Sequence, residues 1–330
     1  MDAMGGDHAP SEIVAGAVAA ARAYPGIEQL ILVGPEDRIR AEMGRMGVIP
    51  SSILIRHCSE VVGMEEAPAA AVRRKKDSSI GRAVDLVKAG EADAVFSAGN
   101  TGAAVAASLL KLRMLDGVNR PAIATVLPTL RRPFVLVDAG ATPDCTPEIL
   151  LQFGLMGSLY ARKILGVESP LVGLLSVGSE ESKGNVMTKE TFSLFESSSL
   201  NFRGNVEGHD LFEGRADVVV CDGFVGNVVL KTSESVAHAM KSWMRDEFLK
   251  TWPRKLGALL LRGAVKVLKQ RTDPDIYGGA PLLGVNGICI IGHGSARAWA
   301  VQNGIRVAME AVEGRLNDLI SEGIQGMAVQ

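Results

Sequence analysis

The sequence predicts a doubly wound α/β fold, a mainly parallel sheet in a three-layer α/β/α arrangement. Three observations carry this. Short apolar runs alternate with helical patterns along the whole chain, which is how strand and crossover helix repeat in a parallel sheet covered on both faces. Glycine-rich loops follow the apolar runs and lead into helices. The 330 residues, 47% of them hydrophobic, supply enough apolar surface for one large α/β domain or two smaller ones.

The elements follow in chain order. After the opening turn DAMGGDHAP, Ser11 is placed to cap a helix over Ile13–Ala23, whose apolar run begins Ile13, Val14, Ala15, Ala17, Val18. Then come a strand at Leu30–Val33, a helix at Asp37–Met46, a strand at Ile53–Arg56 and a helix at Ser79–Ala89. The strand Ala94–Ser97 feeds the Ala-rich helix Ala103–Leu115. Two strands, Ala122–Leu127 and Phe134–Val137, precede the helix Glu148–Leu165. The strand Val172–Leu175 pairs with the helix Lys183–Glu196, and the strand Val218–Cys221 with the helix Asn227–Leu249. The strand Ile288–Ile291 and the helix Ala296–Val312 finish the pattern.

In such sheets ligands bind beyond the carboxyl ends of the strands, where the glycine loops fall. The first is Gly5, Gly6, Asp7 and His8, with Asp2 just before it. Adjacent glycines let backbone N–H groups approach a ligand, and the helix start behind them favours an anion. An ordinary tight turn fits the same residues. Gly99-Asn100-Thr101-Gly102 enters the next helix with small residues and two hydrogen-bonding side chains. Asp138-Ala139-Gly140-Ala141 precedes Asp144 and Cys145. Gly178 opens a loop that runs to Lys183-Gly184-Asn185, and Asp222-Gly223-Phe224-Val225-Gly226-Asn227 enters another helix. Gly292-His293-Gly294-Ser295 repeats the pattern near the C-terminus.

Each loop alone has a plainer alternative. Lys183 also fits a surface lysine beside Glu180 and Glu181. Asn227 also fits a helix cap, and His8 and His293 fit turn residues. Together the loops outline a cleft of backbone donors, amides and one cation, suited to a small oxyanion.

Several classes are disfavoured. None of the loops reads GxxxxGK[ST] or GxGxxG with its acidic partner, and there is no GxSxG elbow. A formal net charge of −2 argues against nucleic acid. Cys58, Cys145, Cys221 and Cys289 are widely spaced without metal-ligand patterns, which points to no metal and, with free thiols, to a reducing compartment. No uninterrupted apolar stretch reaches transmembrane length. Lys250–Arg271 stands apart, with seven basic residues and no acidic ones. Leu256, Leu259, Leu260, Ala264, Val267 and Leu268 recur on one helical face, and Lys255, Arg262, Lys266 and Lys269 lie opposite. Pro253 sits where a new helix can start. The pattern fits a surface or dimer helix, and equally an interfacial helix drawn to anionic lipid.

Taken in order, DAMGGDHAP, RRKKDSS from Arg73, ADAVFSAGNTGA from Ala92, the Asp138 segment, VGLL with KGN, GNVEG from Gly204, DGFVGNVVLK from Asp222 and HGS from His293 resemble the bacterial phosphate acyltransferase (PlsX) family. The resemblance spans nearly the whole chain. It implies a single domain over residues 1–330, Rossmann-like and similar to phosphate acetyltransferases and isocitrate dehydrogenases, with a helical arm at about 228–275. It implies transfer of a long acyl chain from acyl carrier protein to inorganic phosphate, without a cofactor. The product would supply a downstream glycerol-3-phosphate acyltransferase in phospholipid synthesis. It further implies a homodimer in the cytoplasm, peripherally attached to the inner membrane face through Lys250–Arg271. Lys183 and Asn227 become the expected catalytic pair. Gly5, Gly6, Asp7, His8, Gly99, Asn100, Thr101, Gly102, Gly178, Asn185 and His293 become expected substrate contacts.

The family usually begins with a short apolar strand before DAMGGD, so a chain starting at Met1-Asp2 is expected to lose a strand beside the site. Thr142 and Ser179 are among the positions that depart from the family's usual loops. A short-chain transferase using acyl-CoA and a non-catalytic membrane scaffold are the competing readings.

Overall fold

The computed structural model describes residues 1–271 and 273–328. The chain opens with α1 (Ser11–Ala23), β1 (Leu30–Gly34), α2 (Glu36–Met43) and β2 (Ile53–His57). Next are α3 (Pro68–Arg74), α4 (Ser79–Lys88), β3 (Ala94–Ser97) and α5 (Thr101–Lys111). The middle holds β4 (Ala122–Ile123), β5 (Thr125–Leu127), β6 (Phe134–Val137), α6 (Pro147–Ile164), β7 (Val172–Leu175), α7 (Val186–Glu196), β8 (Phe202–Val206) and β9 (Val218–Val220). Then come α8 (Gly223–Leu249), α9 (Trp252–Leu260), α10 (Arg262–Arg271), β10 (Ala280–Leu283), β11 (Ile288–Ile291), α11 (Ala298–Glu313) and α12 (Leu316–Ala328).

Strand pairing is mainly parallel, as expected. β1 pairs β2, β3 pairs β11, and β6, β9, β7 and β8 pair in that order, all in parallel. The antiparallel pairs are β10 with β11 and β4, and β5 with β6. The single strand expected over Ala122–Leu127 is two short strands in series. Its first half pairs β10, its second pairs β6, and the Ala124 N–H goes to the Pro281 carbonyl. This segment joins the two halves of the sheet.

The place expected to lack a strand is bridged by Met1–Ala3. The terminal ammonium donates to the Ile31 carbonyl and Val33 N–H to Met1. Ala3 N–H donates to Val33, and Asp2 N–H reaches the Phe96 carbonyl on the other side. These three residues tie β1 to β3 and so hold the first glycine loop beside the second.

Helices cover both faces because their apolar stripes demand it. α6 buries Leu150, Phe153, Met156 and Tyr160, spaced three or four apart, under the sheet. Each such side chain contributes roughly 1.5–3 kcal/mol on burial. Phe192 and Phe195 of α7 meet Phe202 of β8 edge-on with centroids 5.1 and 5.2 Å away, which seats β8 at the sheet edge.

Several boundaries differ from expectation. Ser11 is the first helical residue, not the cap; its hydroxyl donates to the His8 carbonyl. α7 begins at Val186, so Lys183 lies in the loop before it. α8 begins at Gly223, capped by Asp222, so Asn227 lies inside the first turns. α3, β8, β10 and α12 were not expected.

α9 and α10 divide the basic segment at Leu261, and Pro253 is the second residue of α9. No residue of α9 is buried, and Leu256, Leu259, Leu260, Val267 and Leu268 are all exposed. The side chains of Lys269 and Arg271 lie outside the described residues. Among the described residues, no helix is long and apolar enough to cross a membrane.

Candidate active site

Six loops leave the sheet at the carboxyl ends of parallel strands or beside them, in two groups. The first group joins the Gly5–His8, Gly99–Gly102 and Gly292–Ser295 loops. Asp2, buried, accepts from the Ser97 hydroxyl at 2.7 Å and from Met4 N–H at 3.1 Å. That fixes the first loop on the end of β3. Gly5 lies so close to Gly99 that a Cβ there would stand 2.6 Å from the Gly99 nitrogen. Asp7 N–H donates to the Gly294 carbonyl at 2.8 Å.

The N–H groups of Gly5, Gly6 and His8 have no partner among the described residues, nor do those of Thr101 and Gly102 at the open end of α5. Unpaired amides at a helix start form an anion site. His8 is half-buried, Asp7 is exposed, and His293 is exposed with Nδ1 2.7 Å from the Ser295 hydroxyl.

Asn100 is committed elsewhere. Its oxygen caps α5 by accepting from Ala103 N–H, and its amide donates to the Met64 and Glu66 carbonyls at 2.8 and 3.1 Å. It shapes the loop and has no donor to spare for a ligand.

The second group comes from three neighbouring strands, β6, β9 and β7. Asp138, at the end of β6, is fully buried. Oδ1 accepts from Ile123, Gly140 and Ala141 N–H, and Oδ2 from Thr142 N–H at 2.6 Å. Burial pushes its carboxyl above the usual range, against the pull of those four donors. α8 starts directly on this loop. Gly223 N–H donates to the Thr142 carbonyl, and Gly226 lies against the Asp138 carbonyl.

Asn227, the next residue, is exposed and makes no side-chain hydrogen bond among the described residues. A Cβ at Gly140 would touch the Asn227 side chain at 3.4 Å, so loops three and five form one wall. The helix cap is Asp222, which accepts from Val225 N–H at 2.9 Å. Asn227 is therefore free of the capping duty its sequence position allowed.

Lys183 stands after β7, the neighbour of β9. Its stem rests on Gly178, where a Cβ would be 2.6 Å from Lys183 Cγ. The side chain is exposed, and no carboxylate among the described residues pairs with its ammonium. Asn185 caps α7 by accepting from Thr188 N–H. The two groups meet at α8, whose Glu234 lies 3.9 Å from His293 Nε2.

Burial disfavours the thiolate at every cysteine. Burial pushes the Cys145 thiol up to about 12, and Cys58 and Cys289 to about 11. Burial also pushes the Cys221 thiol well above its ordinary value. All four are free thiols. Glu207, His209 and Asp210 bring potential ligand atoms together, but Arg215 pairs with Asp210 at 2.9 Å and takes up its charge.

Sequence reasoning set the Asp138 and Asp222–Asn227 loops at the cleft but gave Asp138, Gly223 and Gly226 no role of their own; in the structure they seat α8. The available signal was a carboxylate directly after a wholly apolar strand, which is costly unless hydrogen-bonded.

The doubly wound sheet places the chain in a fold class that phosphotransacetylases share. A phosphotransacetylase from Streptococcus pyogenes superposes with a TM-score of 0.61 at 16% identity, covering 91% of each chain. A branched-chain phosphotransacylase from Enterococcus faecalis V583 gives 0.57 at 18%, covering 94% of this chain and 97% of that one.

Sequence comparison is more specific. The family profile described as "Fatty acid synthesis protein" matches residues 1–318. The phosphate acyltransferase of Pelotomaculum thermopropionicum is 54% identical over 330 residues, all of this chain and 96% of that protein. That of Geobacter sulfurreducens is 49% identical over 325 residues, 98% of this chain and 93% of that protein. The chain belongs to the phosphate acyltransferase family, and its activity is acyl transfer with phosphate as a substrate.

Proposed function

We propose that the protein transfers a long-chain acyl group from acyl carrier protein to inorganic phosphate, with Lys183 and Asn227 as the catalytic pair. The observation that carries the proposal is a cation and an amide, neither with a side-chain partner among the described residues, at the ends of neighbouring parallel strands; the backbone N–H groups left without partners in the first group of loops add to it.

Phosphate is itself a nucleophile at neutral pH, so no protein nucleophile is needed, in keeping with the raised thiols. The amides of Gly5, Gly6, Thr101 and Gly102 hold phosphate, and Lys183 orients one oxygen toward the thioester carbon. That oxygen forms the new C–O bond, and Asn227 donates to the carbonyl oxygen as it becomes an oxyanion. The C–S bond then breaks, the pantetheine sulfur leaves as thiolate and takes a proton from solvent. Asp2 and Asp7 stay off the phosphate, since like charges repel. Asn185, Gly178 and His293 shape the rim.

Phosphate-dependent thiol release from palmitoyl-acyl carrier protein, run beside palmitoyl-CoA and acetyl-CoA, tests this. The expected outcome is release that needs phosphate and favours the carrier-bound long chain. Preference for acetyl-CoA would overturn the donor assignment and leave the short-chain reading.

Surface chemistry supports a wider role for the protein. Within the RRKK run, Lys75 is bound to Glu66 at 2.5 Å and to the Val61 carbonyl, and Arg74 pairs with Glu66. Arg73 and Lys76, both exposed, have no ion pair among the described residues and are placed to meet an acidic carrier protein. The arm at about 228–275 presents Met240, Trp243, Trp252 and Leu260 to solvent beside its lysines and arginines. That combination suits both self-association as a homodimer and attachment to an anionic membrane face, where the acyl phosphate would be handed to a glycerol-3-phosphate acyltransferase.

Charge reversal at Arg73 and Lys76, and separately at Lys255, Arg262 and Lys266, separates these roles. The first pair is expected to raise the carrier-protein KM and the second to abolish co-flotation with anionic vesicles. No change in either readout removes the corresponding assignment.

A further inference from the structure

We propose that Asn205 is a positioning residue for Lys183, acting through the backbone turn that carries the lysine. The proposal rests on the reading of Lys183 given above. Asn205 lies in β8, in register with Leu174 of β7, so its side chain stands beside the loop that leaves β7. Its Nδ2 donates to the Glu180 carbonyl at 2.9 Å. The same oxygen accepts Lys183 N–H at 3.0 Å, closing a turn from Glu180 to Lys183. One carbonyl thus closes the turn and ties it to the sheet. Between Val177 and Gly184 this is the one hydrogen bond among the described residues that reaches another part of the chain.

Two further observations show that the amide is set for this bond. Asn205 Oδ1 is buried without a partner, and so is the Ser176 hydroxyl below the loop. A buried amide oxygen left unpaired costs free energy. Turning the amide over would aim that oxygen at the Glu180 carbonyl oxygen, which is worse. The donor is therefore held toward the turn. Lys183 needs such an anchor because its ammonium has no ion pair among the described residues to fix it, while its stem lies against Gly178. With the bond gone, the turn keeps its internal closure but loses its place relative to Asn227. A displacement of about 1 Å costs about a hundredfold in rate.

A double-mutant cycle reads this directly. N205A is expected to lower kcat/KM for phosphate by about tenfold to a hundredfold, with the thioester KM and the folded circular dichroism spectrum unchanged. N205D keeps the shape and removes the donor, so it should lose as much as N205A. If Asn205 served packing alone, N205D would keep wild-type turnover, and that result overturns the proposal. K183A with N205A should equal K183A alone to within about twofold. Losses that multiply in the double variant, with K183A itself strongly impaired, overturn the role of Asn205 and leave that of Lys183. Near wild-type turnover in K183A overturns the reading of Lys183 first, and this inference with it.

Discussion

Replacing Lys183 by alanine is expected to lower phosphate-dependent thiol release by about a hundredfold or more, and to leave the melting transition where it was. The two halves of that result have separate causes. Lys183 is exposed and holds no ion pair among the described residues, so removing it breaks no contact that the fold depends on beyond the rest of its stem on Gly178. Its ammonium is nevertheless the cation that stands after β7, beside the strand that leads into Asn227. Loss of one group that steadies charge developing in the transition state costs about 2.7–4 kcal/mol of barrier.

Asn227→Ala should cost a similar amount by the same logic, since the Asn227 amide is equally free of structural duty. Turnover is measured at saturating thioester with phosphate varied, and stability by thermal melting. Near-normal turnover in either purified variant takes that residue out of the mechanism. A fall in turnover that tracks a fall in melting temperature would mean that the residue supports the fold instead.

Much of the architecture was legible from sequence because it is local. Buried parallel strands must be short and apolar, and Ala94–Ser97, Phe134–Val137, Val172–Leu175 and Ile288–Ile291 have the bounds the pattern predicted. β8 was missed because Phe202-Arg203-Gly204-Asn205-Val206 sits at a sheet edge and carries no apolar run. α3 was missed because seven residues starting at a proline are too short for a periodic signal.

The helix starts went wrong at the two places that matter most. Asn227 looked like a cap after a glycine loop, yet Asp222 takes that duty and the helix runs through Gly223 and Gly226. Lys183 looked helical, but Gly184 at φ +101° ends any helix before Asn185 caps α7. The convergence of loops could not be read locally at all. Gly5 against Gly99, or Gly140 against Asn227, is a contact between residues about ninety positions apart. Asn100 shows the converse: its type suited a ligand donor, and only the fold reveals that the Met64 and Glu66 carbonyls consume it.

Gly226→Ala should disable the site without touching any reacting group. A methyl group there would fall inside the van der Waals surface of the Asp138 carbonyl oxygen, with the Cys221 sulfur 3.1 Å away. The obstruction is backbone, and Asp138 is pinned by four N–H donors, so the loop has no room to yield. α8 must move instead, and Asn227 is the next residue along it. Overpacking of this kind costs about 1–3 kcal/mol in stability. The displaced amide should lower turnover by about as much as Asn227→Ala, a hundredfold or more.

Gly257→Ala in α9 is the matched control. Nothing lies within 4 Å of a Cβ at that position, and alanine is favoured over glycine in a helix by about 0.5–1 kcal/mol. The control should melt at the same temperature or slightly higher, with full activity. If Gly226→Ala behaves like Gly257→Ala, the close seating of α8 on the Asp138 loop does not set the position of Asn227. If it melts lower and loses turnover while Gly257→Ala does neither, the glycine is required because α8 can reach the Asp138 carbonyl only without a side chain. The Asn227 amide then owes its place to that approach.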